Sequence, residues 1–165
     1  MSGALLTIVV CLVMLCFMEF VAWFVHKYLM HGCLWFLHKS HHRPRQGWFE
    51  LNDLFGLFFS AVSIVLIYFG SKGNPVPLGA GLGMVGYGVI YFLIHDVLVH
   101  RRVHHIFVPR SGYLRRVYQA HRLHHALETK EGAVSFGFVY APAPERLKAE
   151  LGAKTAERAL QGDGL

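Results

Sequence analysis

Twelve histidines occur in a chain of 165 residues. Ten of them fall into four short boxes that read as two copies of one pair. His26 and His31 make H-x4-H, and His38, His41 and His42 follow as H-x2-H-H. His95 and His100 repeat the first spacing, and His121, His124 and His125 repeat the second. Neutral imidazole is the commonest metal ligand, so the pattern predicts a polyhistidine metal site. Ten nitrogens exceed what one ion accepts, and two ions with four or five ligands each is the economical count. A single histidine would ordinarily be a satisfied polar residue, but ten in matched boxes argue against that. His104 and His105 stand outside the pattern and are read as surface or supporting residues, not ligands.

Spacing sets what the supporting backbone must do. On an α-helix, positions i, i+3 and i+4 share a face. His38, His41 and His42 are therefore expected to point one way, and His121, His124 and His125 likewise. Two such faces opposed across a cleft would supply six nitrogens. Positions five apart diverge by about 140° on a regular helix. His26 with His31, and His95 with His100, thus need an unwound stretch, a π-type turn, or different metals to bind.

Other metal chemistries fit poorly. The chain has no H-E-x-x-H, which argues against a zincin-type site. It has no paired Glu-x-x-His with further glutamates, as carboxylate-bridged di-iron bundles require. Cys11, Cys16 and Cys33 form no C-x2-C, so Cys-type zinc, iron–sulfur and disulfide readings are unsupported. The few acids are Glu19, Glu50, Asp53, Asp96, Glu128 and Glu131 near the boxes. Their expected work is orienting imidazoles, since a ligating histidine usually donates its other N–H to a carboxylate or carbonyl. Asp96, beside His95, is the leading candidate. Glu19 lies two turns before His26, roughly 10 Å away by helical rise. A carboxylate inside an apolar run is costly and marks function by default, although a helix–helix hydrogen bond would also explain it.

The elements that must carry these boxes are apolar. The chain is 54% hydrophobic with a mean hydropathy of +0.39. Runs at about 4–25, 54–70 and 76–94 are each long enough to cross a hydrocarbon core of about 30 Å. A chain this short could not bury three such helices on every side. The expected fold is all-α: one domain over 1–165, an integral membrane helical bundle of three or four transmembrane helices with a polyhistidine di-metal cap on the cytoplasmic side. The first run lacks a preceding Lys or Arg and leads straight into a box, so it reads as a retained anchor, not a cleaved signal. The net charge is +6. Lys27, Lys39, Arg43, Arg45, Arg101, Arg102, Arg110, Arg115, Arg116, Arg122 and Lys130 all lie in the box-bearing segments, against Lys72 alone in the opposite loop. The positive-inside rule then places all four boxes on the cytoplasmic side. Charge that flanks spans in this way argues against nucleic acid as a partner.

Between these runs, Ser71 to Pro75 is a dense turn cluster. Residues 109–127 suit an interfacial helix. Residues 132–140 suit a loop returning to the membrane surface. A polar, partly helical tail spans about 145–165, with frayed last residues. Gly81-Leu-Gly-Met-Val-Gly86 matches G-x-G-x-x-G, but no strand precedes it, so dinucleotide binding is rejected. Gly79, Gly81, Gly83, Gly86 and Gly88 instead permit close approach of another helix or a slim lipid-like ligand.

With the boxes and spans in place, the chain resembles the fatty acid hydroxylase / sterol desaturase superfamily of membrane di-iron enzymes, most closely its small bacterial β-carotene 3-hydroxylases. The words that carry the likeness are Met18-Glu19 and Ala22-Trp23 before H-K-Y-L-M-H, Trp35 before H-K-S-H-H, and Asn52-Asp53-Leu54-Phe55. Further on come Tyr91-Phe92 before H-D-V-L-V-H, the stretch A-H-R-L-H-H-A, and Glu131-Gly132 before Ser135-Phe136-Gly137-Phe138. The two extra histidines of Val103-His104-His105 depart from it.

The resemblance implies O2-dependent hydroxylation at C3 and C3′ of β-ionone rings, from β-carotene to β-cryptoxanthin and zeaxanthin, with canthaxanthin to astaxanthin as a further conversion. It implies two Fe ions held by the ten box histidines, with Zn as a non-native occupant. The carotenoid would arrive from the bilayer between helices, past aromatics such as Phe55, Phe58, Phe59, Tyr87, Tyr91, Phe92, Trp23 and Trp35. No flavin, nicotinamide, haem or iron–sulfur motif is present, so electrons would come from a separate ferredoxin-type donor docking on the basic face. The competing readings are another lipid or sterol hydroxylase or desaturase of the same superfamily, and a membrane metal transporter. Transport sites usually sit near mid-membrane, whereas these histidines lie past the span ends.

Overall fold

The computed structural model describes residues 2–45 and 47–161, and every regular element among them is helical. Helix α1 covers Gly3–Phe24 and runs on without a break as a wider π-type coil through Val25–Cys33. A short α2 (Trp35–His38) continues into a 3-10 turn at Lys39–His42. Helices α3 (Asp53–Gly70) and α4 (Pro75–Tyr91) form a hairpin, and α4 is prolonged by a second π-type coil, Phe92–Val99. Helices α5 (Gly112–His124) and α6 (Pro144–Leu160) complete the chain.

Three of these helices are long and apolar enough to cross a membrane: Gly3–Cys33, Asp53–Gly70 and Pro75–Val99. They bear out the three expected runs and extend two of them. The first has 31 residues, about 45 Å at 1.5 Å per residue, which is longer than a bilayer core of about 30 Å. His26 and His31 lie in its last turns, and His95 lies in the last turns of the third.

Helix α4 is the central post, and its glycines set the packing. A Cβ on Gly79 would lie 2.5 Å from the Thr7 carbonyl oxygen, and one on Gly83 2.5 Å from that of Cys11. On the opposite side of the helix, about 200° round, a Cβ on Gly81 would meet Ile67 at 2.7 Å and the Ser63 carbonyl at 2.9 Å. The residues read as a dinucleotide motif are thus two packing seams on one helix, one for α1 and one for α3. The order of these contacts makes α1 and α4 parallel, with α3 antiparallel between them in sequence. Thr7 Oγ1 donates to the Pro75 carbonyl at one end, and Tyr87 Oη donates to Glu19 at the other. All four histidine boxes therefore emerge at the same end of the bundle.

Helices α5 and α6 close that end. Val117, Ala120, Val134, Ala141 and Leu147 form a buried cluster there. The tail was expected to be only partly helical, but the structure makes it one continuous helix to Leu160 and seats Leu147 at 1% exposure against α5. Pro144 starts it where its missing N–H costs nothing. The expected fraying of the final residues, 162–165, lies outside the described ones.

The α1–α4 seam is testable. Gly83→Leu must separate the two backbones, whereas a Cβ on Gly88 meets nothing within 4 Å. Thermal unfolding in detergent should show Gly83→Leu destabilised by about 1–3 kcal/mol or more, with Gly88→Leu close to the parent. Equal melting of both variants would contradict the seam.

Candidate metal centre

Both H-x4-H boxes use the π-type solution. The Leu34 N–H donates to the Leu29 carbonyl at 2.8 Å, and the His100 N–H donates to the His95 carbonyl at 2.9 Å. These i→i+5 bonds put residues five apart on one side of the coil. The first coil ends at Gly32, whose non-helical backbone (φ −116°, ψ −124°) turns the chain toward α2.

The ten imidazoles converge as two groups. His26, His31, His38, His42 and His124 each present a nitrogen, and those nitrogens all lie within 4.8 Å of one another. His41, His100, His121 and His125 do the same, with His95 Nε2 3.0 Å from His41 Nε2. The H-x2-H-H boxes do not point one way, as expected from an α-helical face. Residues i and i+4 stay together, while the i+3 residue crosses to the other group. His38 and His42 join the first group but His41 joins the second; His121 and His125 join the second but His124 joins the first. The physical reason is angular. On a helix of about 3.6 residues per turn, i+3 and i+4 lie about 100° apart, enough to aim neighbours at different centres. Each group is thus one H-x4-H pair, one i,i+4 pair, and one histidine lent by the other half of the chain.

Proton placement shows what the groups are built for. His26 Nδ1 lies 3.0 Å from the Phe136 carbonyl, His31 Nδ1 2.8 Å from that of Lys130, His42 Nδ1 3.0 Å from that of Leu127, and His124 Nδ1 3.0 Å from that of Val134. A carbonyl only accepts, so each Nδ1 carries the proton and each Nε2 a bare lone pair. Yet the Nε2 atoms face each other: His26 to His38, His31 to His124 and His38 to His42, all at 3.2 Å. Lone pairs opposed at that distance repel unless a cation lies between them. Two nitrogens bound at about 2.1 Å and 90° would stand about 3.0 Å apart. Burial opposes protons in that place, lowering His38 to about 3 and His42 to about 4. Burial also pushes His41, His121 and His124 well down. The donor set therefore fits a metal in each group.

The second group is oriented by acids instead of carbonyls. His41 Nδ1–H donates to Glu50 Oε2 at 2.9 Å, and His95 Nδ1–H donates to Asp96 Oδ1 at 2.7 Å. Arg102 gathers these acids, with a nitrogen 2.6 Å from Asp53, 3.5 Å from Glu50 and 3.7 Å from Asp96. Sequence reasoning missed Arg102, which looks like one more flanking charge. It also missed the role of Asn52, whose Oδ1 lies 2.7 Å from His38 Nδ1.

Glu19 does not orient an imidazole, contrary to one expectation. Its carboxylate accepts from the N–H groups of Phe138, Val139 and Tyr140 and from Tyr87 Oη. The alternative, a hydrogen bond between helices, is what the Tyr87 contact provides. His104 is exposed and His105 donates to the Val97 carbonyl at 2.7 Å, both outside the two groups. Of the aromatics expected along a substrate route, Tyr91 stacks on His95 at 4.4 Å and Trp35 packs on His31 at 5.1 Å. Phe58 and Phe92 face outward. Phe138, not among those aromatics, covers both groups: it stacks on His26 at 5.0 Å and lies 5.3 Å from His95.

The groups differ in access. His26, His38 and His124 are at most 1% exposed. His100 and His125 are half-buried and form the floor of an open cleft with His41 and His42, and Arg43, Arg101 and Arg122 stand among its walls. Arg101 holds a left-handed backbone (φ +51°) that a side chain seldom adopts.

Comparison with known proteins agrees with this geometry. The family model described as fatty acid hydroxylase matches residues 11–143. A protein of Pantoea ananas called beta-carotene hydroxylase is 52% identical over 142 residues, 86% of this chain and 81% of that protein. One of the same name from a Paracoccus species is 50% identical over 135 residues, covering 81% and 83%. An Arabidopsis thaliana protein called beta-carotene 3-hydroxylase 2, chloroplastic, is 43% identical over 129 residues, 76% of this chain and 42% of that one. No solved structure matches. A family match over most of the chain, with relatives near half identity, establishes that this membrane protein belongs to the fatty acid hydroxylase family.

Proposed function

We propose that the protein hydroxylates C3 and C3′ of carotenoid β-ionone rings, converting β-carotene to β-cryptoxanthin and zeaxanthin, with two irons bound by the ten box histidines. The observation that carries it is two groups of buried imidazole lone pairs at one end of an apolar bundle, in a chain about half identical to proteins called beta-carotene hydroxylase. When bound, the irons would supply activation of O2 for insertion into an unactivated C–H bond, which no side chain can do alone. Zinc could sit in the same nitrogens but is redox-inactive.

The chain's own residues do the rest. The histidines hold the ions; Glu50, Asp96 and the loop carbonyls fix which nitrogen carries the proton. Phe138, Tyr91, Phe136 and Trp35 pack on the rings and exclude water, which concentrates the electrostatics of the site. The hydrocarbon substrate partitions into the bilayer and reaches the histidine end between helices. Cations gathered at that end favour its facing the cytoplasm.

The balance is R–H + O2 + 2 e⁻ + 2 H⁺ → R–OH + H2O. We assign the electrons to a separate ferredoxin-type donor. The cleft above His100 and His125, walled by Arg43, Arg101 and Arg122, suits an acidic protein surface.

Expression in β-carotene-producing cells, with pigment analysis, should yield hydroxylated carotenoid. Folded, iron-loaded protein giving none would overturn the substrate assignment. His41→Ala and His124→Ala should each abolish product while the protein still inserts in the membrane, and His104→Ala should retain it. Full activity in His124→Ala would contradict the ligand set. Arg101→Glu with Arg122→Glu should raise the KM for the donor several-fold and leave kcat at saturating donor near the parent value. An unchanged KM would place the donor elsewhere.

A further inference from the structure

The segment from Leu127 to Tyr140 has no regular structure among the described residues, yet it supplies the proton acceptor for four of the five histidines in one group. The carbonyls of Leu127, Lys130, Val134 and Phe136 take the Nδ1–H of His42, His31, His124 and His26. None of the hydrogen bonds that fix the other group comes from it. Ser135 sits in the left-handed region (φ +58°), between the two residues whose carbonyls face His124 and His26. That is a strained conformation for a residue with a side chain, and it needs outside support.

Support comes from both ends. At the membrane end, Glu19 accepts three successive backbone N–H groups, from Phe138 at 3.1 Å, Val139 at 3.0 Å and Tyr140 at 2.8 Å, plus Tyr87 Oη at 2.7 Å. Gly137 allows the chain to curl round that carboxylate: a Cβ there would lie 2.8 Å from Glu19 Oε1 and 2.6 Å from the Tyr140 carbonyl. At the other end, α6 holds the segment. Lys154 donates to the Ala133 carbonyl, and Arg158 donates to Thr129 Oγ1 at 2.8 Å and to the Glu131 carbonyl at 3.2 Å.

We propose that residues 127–140 act as a collar that orients the His26/His31/His38/His42/His124 group alone, and that Glu19 and Arg158 are the positioning residues that hold it. The proposal rests on the two-ion reading above. Neither residue touches a histidine. Each acts by keeping loop carbonyls where they fix the tautomer and ring direction of four ligands. A glutamine at position 19 would remove the charge that the three backbone N–H groups share and would set an N–H where Oε2 faces the Val139 N–H at 3.2 Å, or, flipped, one where Oε1 accepts all three.

Metal-stripped full-length protein in nanodiscs, titrated with Co²⁺ and followed by visible absorption, separates this role from general destabilisation. The parent should bind two ions per chain. His124→Ala and His125→Ala, each removing a ligand from one group, identify which absorption belongs to which group. Glu19→Gln should weaken the ion that His124→Ala also weakens, by about 10- to 100-fold as for other lost supports of ligands, and leave the second ion unchanged. Lys154→Ala with Arg158→Ala should weaken the same ion from the other end. If both ions weaken alike in folded Glu19→Gln, or neither does, the collar is wrong. If Glu19→Gln fails to insert, the α6 pair decides by the same criterion. A parent that binds fewer than two ions overturns the two-ion reading and the collar with it, whereas a failure confined to Glu19→Gln and the α6 pair leaves that reading standing.

Discussion

Lone-pair repulsion among buried imidazoles is the constraint the rest of the molecule answers to. In one group the Nε2 atoms of His26, His31, His38, His42 and His124 face inward, and four of them have their only proton committed to a loop carbonyl. An unpaired buried acceptor is costly, and five pointed at one another are worse. A cation at the centre of such a set would relieve that repulsion, and its binding would then be coupled to the folding of this end of the protein. The apolar bundle, by contrast, is held by glycine seams that do not involve the histidines.

The two halves of the chain supply matched parts but different surroundings. One group is enclosed, collared by main-chain carbonyls and covered by Phe136 and Phe138. The other is half-open, backed by Glu50 and Asp96, with Arg102 among the acids. Burial raises the Glu50 carboxyl above its usual range, and Arg102 opposes the shift. A carboxylate on Nδ1–H makes an imidazole a stronger donor to metal than a carbonyl does. Ions bound in the two groups would sit in unlike fields, and the more open group faces the cationic cleft. His41 and His124, each lent across from the opposite half, tie the two groups into one unit.

Much of this was legible in the sequence, for identifiable reasons. Hydropathy located the spans because a run of apolar residues has few other uses at that length. The boxes pointed to convergence because ten histidines at repeated spacings have no bland explanation, and the structure brings them into two groups. The π-type turns followed as one of three options from the spacing of His26 and His31. What failed was the assumption that H-x2-H-H shares one face: a regular helix tolerates either reading, and only the position of the second centre decides it. Glu19 was visible as an anomaly, but three of its four partners lie roughly 120 residues away and are backbone N–H groups, which carry no sequence signal. The collar itself is an irregular loop, and α6 reads as a polar tail because its role is made by Lys154 and Arg158 side chains reaching carbonyls.

The central claim is that two redox-capable ions sit among these ten nitrogens. Iron content together with iron K-edge X-ray absorption, on protein purified without oxygen, tests it most directly. About two irons per chain are expected, each with a nitrogen-dominated shell near 2.0–2.2 Å and the multiple-scattering signature of several imidazoles. Stoichiometric iron in a shell of oxygen or sulfur without imidazole scattering, or one iron per chain at saturation, would contradict it.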